Sequence, residues 1–105
     1  ELLYADLAAE RTFAAVRGEQ KIVVEVKSFV GRSTIQDFKS ALGQYILYKQ
    51  LLDETMSEYE LYLAVSEATY AFDFQRKIIQ FMIQRNQMPL IVVNLNREEI
   101  IQWIN

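Results

Sequence analysis

The residues of this chain best suited to chemistry are Glu25 and Lys27, which fall two positions apart in the run from Lys21 to Phe29. Ile22, Val24 and Val26 alternate there with Lys21, Val23, Glu25 and Lys27. That period of two belongs to a β-strand and puts Glu25 and Lys27 on one face. A carboxylate beside an ammonium is a pair that can hold a divalent cation and a phosphate together. Alternation of β-branched and charged residues also describes any half-buried strand with one wet face. What lifts this pair above that reading is its company: Asp6 and Glu10 on the preceding run, Gln44 and Tyr48 on the following one.

Position depends on the elements. Leu2 to Val16 reads as a long extended segment, with Asp6, Ala8, Glu10 and Thr12 on one face. Arg17 to Gln20 is a turn in which Gly18 takes a positive φ at little cost. A two-residue turn centred on Gly18 and Glu19 sets Thr12 opposite Glu25 and Glu10 opposite Lys27. Glu10 then comes within metal-sharing distance of Glu25, while Asp6 is roughly 13 Å further along an extended strand. A bulge among the alanines would recover Asp6. Glu10 is favoured on geometry and Asp6 on chemistry, and either is also readable as a surface acid.

Beyond this hairpin, Ser33 with Gln36 has capping-box spacing and opens a helix over Thr34 to Leu52. Ile35, Phe38, Leu42, Tyr45, Ile46 and Leu52 form its apolar face, and Gly43 is read as a close approach to a neighbouring strand. Leu61 to Val65, nearly continuous in apolar side chains, is a central strand covered on both faces. A second helix is expected over Tyr70 to Asn86, lined by Phe74, Ile78, Phe81 and Met82, with Gln75, Arg76, Lys77, Gln84 and Arg85 in solvent. Pro89 stops it. Leu90 to Leu95 is a buried-type strand, and Glu99 to Ile104, with Trp103, returns as the last one. Glu98 and Glu99 form an acidic turn that solvent or a partner protein would face. The pattern is α/β, a mixed central sheet with helices packed on it.

At 105 residues and 51% hydrophobic content, residues 1–105 make one domain with material for a single core. No apolar run approaches the ~20 residues that cross a bilayer, and no signal-peptide pattern is present, so a soluble, cytoplasmic protein is expected. The sequence has no cysteine and no histidine. That removes disulfides, thiol and Ser-His catalysis, and Cys- or His-liganded zinc from this segment. Chemistry here must rest on carboxylates, lysine, tyrosine and a hard metal with oxygen ligands. A net charge of −3 counts against broad nucleic-acid binding, although a nuclease clusters acids around its metal. The chain begins at Glu1 and reads at once as strand, so an upstream segment is expected.

Asp6 or Glu10, followed across a hairpin by Glu25-Val26-Lys27, resembles the PD-(D/E)xK nuclease signature. Gln44-Tyr45-Ile46-Leu47-Tyr48 resembles the Gln-x-x-x-Tyr element of RecB-like members, and its spacing puts Gln44 and Tyr48 on one helical face. By itself, Tyr48 reads as a core aromatic with a wet hydroxyl. Ala5 stands where the signature often has proline, and Ala9 precedes Glu10, so the first motif departs from the pattern either way. More closely, DLAAERTFAAVRGEQKIVVEVKSF with ALGQYILY, LIVV and EEIIQWI is similar to the XisH family, the fdxN-element excision controlling factors of filamentous cyanobacteria.

That resemblance implies a restriction-endonuclease-like fold with a further N-terminal helix and strand. It also implies a role in programmed excision of a DNA element beside a site-specific recombinase and an XisI-type partner protein. With an active site, Asp6 or Glu10, Glu25 and the Val26 carbonyl would ligate Mg²⁺. Lys27 would orient the attacking water or stabilise the phosphorane, and Gln44 and Tyr48 would hold phosphate or brace Lys27. The rival reading keeps the fold as a catalytically silent regulatory module bound to DNA or protein. An apolar sheet edge at Leu90 to Leu95 or at the last strand would support a homodimer.

Overall fold

One glycine sets the register on which the site reading depends. The computed structural model describes residues 12–97 and 99–105. In it, β1 (Thr12–Arg17) and β2 (Gln20–Val26) run antiparallel around Gly18, whose φ is +62°. Their pairs run from Arg17↔Gln20 to Thr12↔Glu25, the register expected of a two-residue turn. Asp6, Glu10 and the rest of the expected first strand up to Arg11 lie outside the described residues, as does Glu98. β2 stops at Val26 rather than Phe29. The Lys27 amide donates to the Ala64 carbonyl at 3.0 Å, and the chain then leaves the sheet.

After β2 come α1 (Thr34–Thr55), β3 (Tyr59–Ser66), α2 (Glu67–Ala71), a 3₁₀ turn (Asp73–Gln75), α3 (Lys77–Arg85), β4 (Leu90–Asn94) and β5 (Glu99–Ile104). The sheet order is β1-β2-β3-β4-β5. β2, β3 and β4 are parallel, and the two outer pairings are antiparallel. Two crossovers that step the same way across a sheet, both right-handed, put their helices on one face. That face carries Val23, Leu61, Leu63, Val65 and Leu90 against Phe38 and Tyr45 of α1 and Ile79 and Ile83 of α3. The opposite face carries Ile22, Val24, Val26, Tyr62, Ala64, Ile91 and Val93, with Trp103 packed against them. Leu90 to Leu95 is therefore not a sheet edge: β4 is flanked by β3 and β5, and β5 is the outer strand.

On this second face the sheet curls. The Arg17 guanidinium lies 3.9 Å from the centroid of the Trp103 ring. Yet β1 and β5 are the outermost strands, separated in a flat sheet by four spacings of about 4.8 Å. Tyr62, in the middle strand, meets Trp103 edge-on at 5.4 Å and donates its hydroxyl to Asn105 Oδ1 at 2.9 Å.

α1 starts where the cap was expected, with Ser33 Oγ accepting from the Gln36 amide at 3.2 Å, and runs past Leu52 to Thr55. Its buried residues are Phe38, Ala41 and Tyr45. At 100° per residue, position 46 lies about 100° away from that line, and Ile46, expected inside, is exposed. Gly43 falls on the outer side and a Cβ there would meet nothing within 4 Å, so it is not a close approach to a strand. The second helix is broken. Arg76 is extended (φ −66°, ψ 139°), which frees Phe74 to drop fully into the core, where Phe29 and Phe38 meet its ring edge-on at 5.1 and 5.8 Å. The break also rotates α3: Ile79 and Ile83 face the core, while Ile78 and Phe81, expected inside, are 53% and 56% exposed.

Tyr45 is buried, and its hydroxyl is pushed up to about 12, first by desolvation and then by the negative charges of Glu60 and Asp53. The folded protein therefore holds the phenol proton more tightly than the unfolded chain, whose value is 10.0. The stabilisation from that difference is complete below pH 10 and is lost as pH rises towards 12.

Three outcomes follow for denaturant unfolding. Gly18→Ala lowers stability by about 1–2 kcal/mol, because the alanine must adopt a left-handed conformation. Gly43→Ala raises stability by about 0.5–1 kcal/mol, because it removes chain entropy at an open helical position. Wild type loses stability between pH 10 and 12 more steeply than Tyr45→Phe does, by up to about 2–3 kcal/mol at the upper end, at ~1.4 kcal/mol per pH unit.

Candidate functional site

Glu25 has the parity of Val23 and so lies on the helix-covered side of β2. It is 1% exposed, the one carboxylate among the buried described residues. Val24 and Val26, its neighbours along the strand, belong to the opposite layer, so Glu25 shares its side of β2 with Val23 and the main core. Lys27 Nζ lies 3.9 Å from Glu25 Oε2, with the lysine side chain itself only 16% exposed. The pair sits at the carboxyl end of a parallel strand. In open α/β sheets, that end is where helices and loops part and ligands are received.

The loop after Lys27 is held rather than hanging. Phe29 packs on Phe74, the Gly31 amide donates to Asp37 Oδ2 at 2.9 Å, and Thr34 Oγ1 donates to Asp73 Oδ1 at 3.1 Å. A Cβ on Gly31 would lie 2.5 Å from the Asp37 carboxylate, so this glycine serves a close approach. Ser66, Glu67 and Asn94, at the ends of β3 and β4, line a cavity of about 270 Å³ at this same side of the sheet, with Asn94 Nδ2 donating to Glu67 Oε1 at 3.2 Å. Nothing in the sequence pattern points to it, because Ser66 and Asn94 belong to different strands. Each also serves its own segment, Ser66 Oγ accepting from the Thr69 amide and Asn94 Oδ1 from the Arg97 amide. Only the parallel register brings the two together.

Of the other residues singled out, Val26 ends β2 with its side chain in the opposite layer, so its carbonyl is the last of the strand. Gln44 is exposed on α1, and among the described residues its side chain makes no hydrogen bond. Tyr48 is half-buried against the main core. Asp6 and Glu10 are outside the described residues. Among the described residues no cluster of three or more His, Cys, Asp or Glu is placed to hold a metal. A buried carboxylate and a strand-end carbonyl are hard oxygen donors of the kind magnesium takes. They fit that ion in kind. Two larger cavities, of about 450 and 480 Å³, open at the other end of the strands beside Tyr59, Gln87 and Leu90. They contain neither Glu25 nor Lys27.

Comparison with known proteins agrees with this fold. The model of the XisH protein family matches residues 1–101. The structure superposes on that of an XisH family protein from Nostoc punctiforme PCC 73102 with a TM-score of 0.86 and 43% identity, over 90% of this chain and 74% of the other. A fdxN element excision controlling factor protein from Anabaena variabilis gives a TM-score of 0.85 at 43% identity, with the same coverage. No curated protein matches. A family model spanning nearly all of the sequence, together with this likeness in fold and identity, means that the chain belongs to the XisH family.

Proposed function

We propose that this chain is a controlling factor for excision of a DNA element, as the Anabaena variabilis relative is described, and that the end of β2 is a PD-(D/E)xK-type site for phosphodiester hydrolysis. The observation that carries the second half is Glu25, a carboxylate 1% exposed within an apolar layer, with Lys27 3.9 Å away. Burying such a group costs several kcal/mol unless opposite charge compensates it, and such arrangements concentrate where chemistry is done.

In this reading Glu25, the Val26 carbonyl and either Glu10 or Asp6 hold Mg²⁺. Bound magnesium supplies a water of lowered pKa and a positive charge beside the scissile phosphate. Lys27, a compact point charge, orients the nucleophile and meets the negative charge that develops on the phosphoryl oxygens. Tyr48 and Gln44 on α1 take the substrate phosphate or brace Lys27. An XisI-type protein and a site-specific recombinase are the partners that the family likeness brings with it.

A second reading, a catalytically silent module of the same fold, is favoured by the net charge of −3 and by Gln44, which stands on the exposed side of α1. Nicking of supercoiled plasmid by the full-length protein separates the two. The enzyme reading expects Mg²⁺-dependent nicking that falls at least ~100-fold in Lys27→Ala and in Glu25→Gln, the usual loss when one electrostatic group is removed. A full-length protein that leaves plasmid intact with the metal present is the silent module.

A further inference from the structure

From Phe74 to Arg97 the chain holds no acidic residue, yet Arg76, Lys77, Arg85 and Arg97 fall there, in a protein of net charge −3. Arg76, Lys77 and Arg85 bracket α3 and are exposed, and among the described residues none of the three has a carboxylate partner. Lys21, Lys49 and Arg97 lie 3.9, 3.9 and 3.5 Å from Glu58, Asp53 and Glu99, whereas Arg32 and Lys39 are exposed and, like the α3 cations, have no carboxylate partner among the described residues. Arg76 and Lys77 also stand at the amino end of α3, where the helix dipole disfavours positive charge, and no side chain caps that end. Helix stability does not account for cations placed there.

The same face carries an aromatic ring. Viewed down α3, Ile79 and Ile83 mark the buried line, and at 100° per residue the position opposite them is 81. Phe81 is 56% exposed on that outermost line, with Lys77 one turn before it, Arg85 one turn after and Gln84 alongside. A phenylalanine there is not spillover from the core, which the broken helix has turned away from it. The amino end of α3 is also tied to the candidate site: Phe74, three residues before Lys77, packs on Phe29, two residues after Lys27.

We propose that the outward face of α3 binds duplex DNA, with Arg76, Lys77 and Arg85 on phosphates and Phe81 and Gln84 against base edges in the major groove. Charge complementarity selects the phosphate backbone. A ring against a thymine methyl and an amide on adenine are contacts that this pair of side chains can make. The proposal rests on the reading that the chain acts at DNA, but not on hydrolysis at Glu25 and Lys27.

The test is fluorescence anisotropy of a short labelled duplex titrated with the full chain in EDTA, so that cleavage plays no part. Wild type is expected to bind with strong salt dependence. Lys77→Glu with Arg85→Glu weakens binding at least ~10-fold, and Lys77→Ala with Arg85→Ala lowers the slope of log K against log salt by about 2. Phe81→Ala weakens binding with that slope unchanged. All these positions are exposed, and circular dichroism checks that each variant is folded. Absence of binding by wild type overturns the proposal, as does undiminished binding by the charge-reversed variant. It is also overturned if charge reversal abolishes association between two copies of the chain while DNA affinity stays intact. Binding through α3 by a protein that leaves plasmid uncut supports the proposal and refutes only the hydrolytic reading.

Discussion

The burial of Glu25 is the constraint around which the rest of the molecule is arranged. A carboxylate inside an apolar layer is tolerated only with compensating charge close by, and Lys27 supplies an ammonium within 4 Å. β2 ends at Val26, and the Lys27 amide still donates to the Ala64 carbonyl of β3. If β2 ran on to Phe29 as a regular strand, Phe29 would share the parity of Glu25 and Lys27 and extend along the sheet. Instead its ring turns onto Phe74. The short β2 and the Phe29–Phe74 contact thus serve one geometry at the strand end.

Phe74 links that geometry to the second half of the chain. To fill the core between Phe29 and Phe38, it interrupts what would otherwise be a continuous helix, and the interruption resets the rotation of α3. Ile79 and Ile83 then meet the sheet, while the neighbouring Ile78 and Phe81 are carried outward. A helical periodicity drawn through the break adds the wrong rotation to every residue after it, because three residues of 3₁₀ turn and one extended residue advance the chain differently from four residues of α-helix.

The opposite face of the sheet is governed by curl. The contact of Arg17 with Trp103, and of Trp103 with Tyr62, joins the two outer strands across the middle one. No local preference in β1 or β5 encodes that meeting. It arises from the accumulated twist of five strands, and it leaves the hairpin end of β1 close to the end of β5.

What this sequence determined alone was local. The turn at Gly18 and the count from it paired Thr12 with Glu25. The Ser33 cap, the central strand Leu61 to Val65 and the alternation that puts Glu25 and Lys27 on one side each follow from dihedral preference or period within a few residues. Tertiary structure decided the rest. It buried Glu25 rather than leaving it on a wet face, because β2 lies inside the sheet with that side turned to the main core. It placed β4 inside the sheet, turned Ile46, Ile78 and Phe81 outward, and left Gly43 with nothing to approach. Each of these depends on which surface a neighbouring element covers, and coverage is a property of the packed layers that no window of sequence contains.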